Sequence, residues 1–223
     1  MTDYYSEHSR FLVSVDCIVF GIDNGGLSLL LVKRRFEPHE GEWSLVGGFV
    51  RDCENVDDAA KRVLYELTGL DDMYMEQVAV FGKVDRDPGE RVISVAYFAV
   101  TNLADIDQQR MLDYDAGWFN VDKLPKLYFD HNEMVTRARR KLRRRTVHDQ
   151  LGLSLLPELF TLTQMQALYE SLLGESVDKR NFRKRVSEMP YIVKTEHIDK
   201  SSSRRGATLY RYTGEATTDQ FKI

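Results

Sequence analysis

The chain has 223 residues and a formal net charge of −4, which leaves room for one large domain or two unequal ones. It has no run of about 18 apolar residues, and its start MTDYYSEHSRF lacks the basic-then-apolar layout of a signal peptide. A cytoplasmic protein with no membrane partner is therefore expected. Cys17 and Cys53 stand alone, without CxxC spacing or nearby paired histidines, so the sequence predicts two reduced thiols in a packed interior, with neither disulfide nor zinc.

The charge is unevenly spread. Residues 1–136 carry about −12 and residues 137–223 about +8, counting Lys and Arg against Asp and Glu, and such an asymmetry points to a nucleic-acid-facing half. The alternative is a lopsided solvated surface.

In chain order, RFLVSVDCIVFGI and LSLLLVKR read as two strands around the turn DNGG. After GEWSLVGGF comes a helix on which Val56, Ala59, Ala60, Val63, Leu64 and Leu67 recur at helical spacing, stopped by Gly69. EQVAVFGKVDRD and RVISVAYFAVT are strand-like runs separated by the turn Asp87-Pro88-Gly89. DAGWFNVDKLP reads as a strand ending at Pro125, and HNEMVTRARRKLRRR as a helix closing this half. Strands interrupted by helices give an α+β class: a mixed sheet with covering helices over residues 1–150.

Residues 151–223 read as a second domain. Thr163-x-x-Gln166 has a capping-box pattern ahead of an apolar stripe of Met165, Leu168, Tyr169, Leu172 and Leu173, and Gly174 ends that helix. After the turn ESV, Asp178 can cap KRNFRKRVSE, which turns Phe182 and Val186 inward and Lys179, Arg180, Asn181, Arg183 and Lys184 outward. Helix, short turn, basic helix is the helix-turn-helix layout. YIVKTEHID and ATLYRYT then flank KSSSRRG, a hairpin whose basic tip, Arg204 and Arg205, has the form of a wing. Each feature alone also fits a solvated surface; their order favours nucleic-acid binding, to double-stranded DNA. The run Arg137 to Arg145 holds seven cations in nine residues. It is read either as a phosphate contact or as a partner for the acidic first domain, with Ala138 and Leu142 on a buried face.

Gly48, Glu54, Arg62, Leu64, Glu66, Gly69 and Leu70 match the Nudix box, G-x5-E-x7-R-E-U-x-E-E-x-G-U with U apolar, at seven of nine constrained positions. Chance gives its five fixed residues at that spacing on the order of 10⁻⁴ of the time, so residues 10–145 are taken to resemble a Nudix domain. In that family, glutamates at i, i+3 and i+4 of the box helix converge on Mg²⁺. Here those places are Val63, Glu66 and Leu67. The expectation is a domain that is not an enzyme, with no metal and no cofactor, in which Glu54 and Arg62 persist to hold the loop onto the helix.

A degenerate Nudix domain followed by a winged helix resembles the NrtR-like, Nudix-related transcriptional regulators. That resemblance implies a homodimer on a palindromic operator and a Nudix domain that binds a small-molecule effector. Two branches fit: ADP-ribose sensors of NAD metabolism and the L-arabinose-responsive AraR regulators. A diphosphate leans on bound metal and cations, whereas a sugar needs hydrogen bonds and a stacking ring, so the missing glutamates favour the sugar, with ADP-ribose the alternative. Lys33, Arg35, Phe36, Glu42, Trp43 and Arg51 bracket the approach to the box as candidate effector contacts. A working pyrophosphatase with a regulatory tail, or an adaptor that uses the winged helix for docking, are the readings from other classes.

Overall fold

The computed structural model describes residues 3–23, 26–107, 113–148, 151–200 and 206–214. The chain divides into two compact units, one of residues 1–20, 29–100 and 107–138, the other of residues 21–28, 101–106 and 139–223. Among the described residues no helix is long and apolar enough to cross a membrane.

Seven strands form one sheet: β1 Leu12–Asp23, β2 Gly26–Lys33, β3 Trp43–Ser44, β4 Val46–Phe49, β5 Met75–Phe81, β6 Val92–Asn102 and β7 Ala116–Asn120. The main path runs β3-β2-β1-β6-β5, with β4 also paired to β1 and β7 to β2. The expected α+β class holds. Strand β1 is buried from Ser14 to Ile22, because a central strand covered on both faces reads as a continuous apolar run. Two polar residues, Ser14 and Asp16, interrupt that run.

Helix α1, Val56–Thr68, packs its apolar stripe on β4. The approach is close: a Cβ on Gly48 would stand 2.9 Å from Val63 Cγ2. Gly69 ends the helix at φ 69°, its N–H donating to Tyr65 O, a left-handed cap that glycine adopts without steric cost. Helix α2, His131–His148, buries Met134, Ala138 and Leu142 completely, spaced four apart on one face.

The second unit holds β8 Phe160–Thr161, α3 Leu162–Leu173, α4 Lys179–Ser187, β9 Ile192–Asp199 and β10 Ala207–Tyr212. The strands make a sheet in the order β8-β10-β9. Leu153, Phe160, Met165, Phe182, Val186 and Ile192 form its core, flanked by Tyr169, Tyr191, Tyr210 and Tyr212.

Several expectations need correction. Cys17 is buried, but Cys53 is exposed in the turn before α1, since that loop faces solvent where an interior position was expected. Burial and the neighbouring Asp16 push the Cys17 thiol well above its ordinary pKa. Strand β5 ends at Phe81 rather than continuing through KVDRD, because the chain turns there and buries Arg86 among carboxylates. Strand β7 stops at Asn120, whose side chain accepts from the Asp122 N–H and turns the chain before Pro125. The capping box of α3 is Thr161 with Gln164, not Thr163 with Gln166. Asn24 and Gly25 of the first turn, and Arg204 and Arg205 of the wing tip, lie outside the described residues.

Candidate effector pocket and nucleic-acid interface

A cavity of about 400 Å³ opens in the first unit, lined by β1, β4, the stretch from Val32 to Pro38, the turn from Arg86 to Glu90, and Phe129 and His131. Its wall owes its chemistry to strand periodicity. Ser14 and Asp16 are two apart on β1 and so share a face, and both line the cavity. Opposite Asp16 in the ladder stands Gly47, where a Cβ would collide with Asp16 Oδ1. Glycine there leaves room for the carboxylate.

Asp16 belongs to a buried polar cluster. Arg86 donates to Asp130 through Nε (3.0 Å) and Nη2 (2.8 Å), and its Nη2 lies 3.7 Å from Asp16 Oδ2. Ser94 Oγ donates to Asp16 Oδ2 at 2.5 Å, and His131 Nε2 lies 3.6 Å from Asp16 Oδ1. Side-chain exposure is 5% for Arg86 and His131 and 9% for Asp16 and Asp130, and the shared Arg86 cation together with the Ser94 hydrogen bond offsets the cost of burying the two carboxylates. Burial opposes the charge on Arg86, yet Asp130 and Asp16 keep its pKa above the ordinary value. Burial outweighs the same carboxylates at His131 and lowers its pKa, so the imidazole is neutral near pH 7. Among the described residues, Ser14 Oγ and His131 Nδ1 are buried with no hydrogen-bond partner.

Of the expected effector contacts, Lys33, Arg35 and Phe36 line the cavity, whereas Glu42, Trp43 and Arg51 do not. Trp43 packs edge-on against Phe119 at 4.7 Å and lies beneath Lys33. Arg51 pairs with Glu66 at 3.1 Å. Glu42 is exposed on the loop before β3. Ser14, Asp16, Arg86 and His131 were missed by motif reasoning. A signal for two of them was present, since Ser14 and Asp16 stand two apart in an otherwise apolar strand. Arg86 and His131 carried none, because only the fold brings them to β1.

The box residues form a clasp. Arg62 donates to Glu54 through Nε (2.7 Å) and Nη2 (2.6 Å), to Phe49 O through Nη2 (2.9 Å) and to Glu66 through Nη1 (2.8 Å). The Arg51 N–H also donates to Glu54 at 2.8 Å. Chiefly through the Arg62 hydrogen bond, the Glu54 carboxyl is pushed down to about 2. Loop and helix are thus held together as the resemblance implied. A resident Mg²⁺ does not fit these residues: Val63 is buried against Gly48, Leu67 presents an aliphatic side chain to the cavity, and both box glutamates are occupied by guanidinium groups. A hard cation needs several oxygen ligands.

In the second unit, Asp178 caps α4, its carboxylate accepting from the Asn181 N–H at 2.8 Å. Phe182 and Val186 face the core, and Lys179, Arg180, Asn181, Arg183 and Lys184 are all exposed. The turn between α3 and α4 is pinned from α3. Glu170 Oε1 accepts from the Val177 N–H at 2.9 Å, and Gln166 Nε2 donates to Val177 O at 3.1 Å. This is the Gln166 that was expected to cap the helix. In the basic run of α2, Arg137 pairs with Glu133 at 2.5 Å and stacks over Phe81, while Arg143 pairs with Glu175 at 3.1 Å.

Residues 10–138 match the NUDIX domain model, and residues 152–212 match that of the NrtR DNA-binding winged helix domain. The chain is 36% identical over 211 residues to the ADPR responsive transcriptional repressor NtrR of Acinetobacter baylyi, covering 93% of this chain and 84% of the relative. Shewanella oneidensis NrtR in complex with a 27mer DNA superposes with a TM-score of 0.72 at 27% identity, over 95% of this chain and 97% of that one. The NUDIX domain of the Shewanella protein complexed with ADP ribose gives a TM-score of 0.54 at 29% identity, over 64% of this chain and 99% of the other. With a Nudix fold whose box is clasped by arginines and a helix-turn-helix that turns five polar side chains to solvent, this chain belongs to the NrtR family of Nudix-domain, winged-helix transcriptional regulators.

Proposed function

We propose that this protein is a ligand-responsive transcriptional repressor that binds a palindromic operator as a homodimer and uses its Nudix domain as a sensor without hydrolysing the effector. The likeness over nearly the whole chain to a repressor named as ADPR responsive carries this reading. It also moves the first choice of effector from the sugar expected from the sequence to ADP-ribose, which the Shewanella Nudix domain holds in its complex. Val63 and Leu67 in two of the three metal-ligand places, with the third, Glu66, held by Arg62 and Arg51, support a sensor rather than a hydrolase, because pyrophosphate cleavage relies on an ion that those carboxylates would hold.

One observation favours a neutral sugar as a second reading. The cavity is lined by four cations, Lys33, Arg34, Arg35 and Arg86, and by four carboxylates, Asp16, Glu37, Asp87 and Glu90, so no cationic excess awaits a diphosphate. Calorimetric titration of the full chain with ADP-ribose and with L-arabinose, each with and without Mg²⁺, decides between them. ADP-ribose binding alone assigns the first reading. Pentose binding without metal assigns the second, and release of AMP at about 1 s⁻¹ or faster overturns the non-enzymatic account.

A further inference from the structure

We infer that Arg144 on α2 and Arg185 on α4 form a clamp for a backbone phosphate of the bound DNA duplex, so that α2 is itself part of the DNA interface. The inference rests on the repressor reading above and adds two contacts outside the expected recognition residues. Arg144 lies between the segments that match the two family models, in residues 139–148 of α2, which belong to the second unit. There a cleft of about 530 Å³ is bounded by Arg143, Arg144 and Val147 of α2, by the turn from Glu175 to Asp178, and by Asn181 and Arg185 of α4. Helical periodicity sets which side of α4 meets this cleft. Phe182 and Val186 are buried, so Arg180 and Lys184 lie on the ridge away from them, and Asn181 and Arg185, four apart, lie on one flank. On the α2 side, Arg143 pairs with Glu175 at 3.1 Å, and the turn runs close by, since a Cβ on Gly174 would stand 3.5 Å from Arg139 Nη2.

The charges of the cleft leave two cations uncommitted. Its carboxylates are engaged locally, Glu175 by Arg143 and Asp178 by the Asn181 N–H that it caps. Arg144 and Arg185 are exposed and make no ion pair among the described residues. Two guanidinium groups in one concave site focus a positive field and match the oxygens of a phosphate. The position selects DNA over a free anion. A helix of about 10–12 Å diameter fills a major groove about 12 Å wide, so its outer ridge meets base edges while its flanks stand beside the sugar–phosphate strands. Arg185 is on such a flank, and Arg144 borders the same cleft from α2. Contacts of this kind position a protein on the duplex without reading sequence. The basic run Arg137 to Arg145 is thereby divided: Arg137 is engaged by Glu133 and Phe81, whereas Arg144 is left for the polyanion.

The test is fluorescence anisotropy of the full chain with two duplexes, one enriched from a random-sequence pool by the wild type and its scrambled counterpart, each titrated over a range of salt. The double substitution Arg144→Gln, Arg185→Gln removes two exposed charges that have no ion pair to lose, and its urea midpoint should match the wild type. It is expected to weaken both duplexes alike, by about 10-fold or more, and to reduce the slope of log affinity against log salt by about 0.9 per bound protomer, the share of one phosphate contact. Lysine at both positions should restore the slope. An unchanged affinity and slope, or a loss confined to the enriched duplex, overturns the clamp while the repressor reading stands. Calorimetry with inorganic phosphate covers the other source: phosphate that binds the wild type but not the double variant, with DNA binding unaltered, assigns the cleft to a small anion and overturns the DNA clamp. If the wild type binds neither duplex, the repressor reading falls and takes the clamp with it.

Discussion

Asp16, Arg86, Asp130 and His131 of the Nudix domain are each at least nine-tenths buried, whereas Lys179, Arg180, Asn181, Arg183 and Lys184 of the winged helix are all exposed. The buried set places two carboxylates around one guanidinium and a neutral imidazole, and hydrogen bonds from Arg86 and Ser94 hold it in place. The exposed set is unbalanced, and on that surface a charge reaches a polyanion with little desolvation cost. Burial therefore separates a hydrogen-bonded polar cluster in one domain from a solvated cationic face in the other, a distinction that net charge alone does not show.

Substitutions that strike the buried set are expected to have the largest effect. Arg86→Ala leaves Asp16 and Asp130 buried without their shared cation, and breaking such a network costs about 3–5 kcal/mol. Urea denaturation would read this as a large fall in midpoint, and a loss below about 1 kcal/mol would place the cluster in contact with water. Next in size, the double substitution Arg180→Ala, Arg183→Ala acts on the exposed set. Preference for operator over random DNA should drop by about 10- to 100-fold in competition binding, with the unfolding midpoint unchanged. Equal loss on both DNAs would make these arginines phosphate contacts only.

Smaller effects come from the local devices that hold each domain's elements in place. Thr161→Ala removes the α3 cap and should cost about 1 kcal/mol, measurable by thermal melting, whereas Thr163→Ala should be nearly silent. The smallest effect is a pH dependence. The folded Glu54 carboxyl, at about 2, lies below an ordinary glutamate near 4.3. Its contribution is therefore complete above about pH 4.3 and is lost as pH falls toward 2. Glu54→Gln should flatten the acid limb of a stability profile, and an unchanged limb would show that the clasp adds nothing.

The parts legible in the sequence were those written in local periodicity. The helices with strong apolar stripes, the basic face of α4 and the box spacing all follow from residues a few positions apart. Strand ends were less legible, because β5 and β7 are stopped by tertiary demands on Arg86 and by a side-chain turn at Asn120. Of the pocket, the sequence pointed to the loop around Lys33, Arg35 and Phe36. It did not show that Arg86 and His131, distant along the chain, meet Asp16, for which only the two polar residues inside β1 gave a hint. Trp43 illustrates the converse: an aromatic beside the box that packs on Phe119 instead of lining the cavity.

The central claim is that the Nudix domain senses and does not hydrolyse, and that its occupancy sets the grip on DNA. Fluorescence anisotropy of an operator fragment, titrated with the full chain in the presence of ADP-ribose or L-arabinose and sampled for AMP, tests both parts at once. The account predicts that one of these ligands weakens DNA binding by about 5- to 150-fold, a coupling of roughly 1–3 kcal/mol, while the ligand stays intact with Mg²⁺ present. An operator affinity that neither ligand changes, or ADP-ribose cleaved at enzymatic rates during the titration, would contradict it.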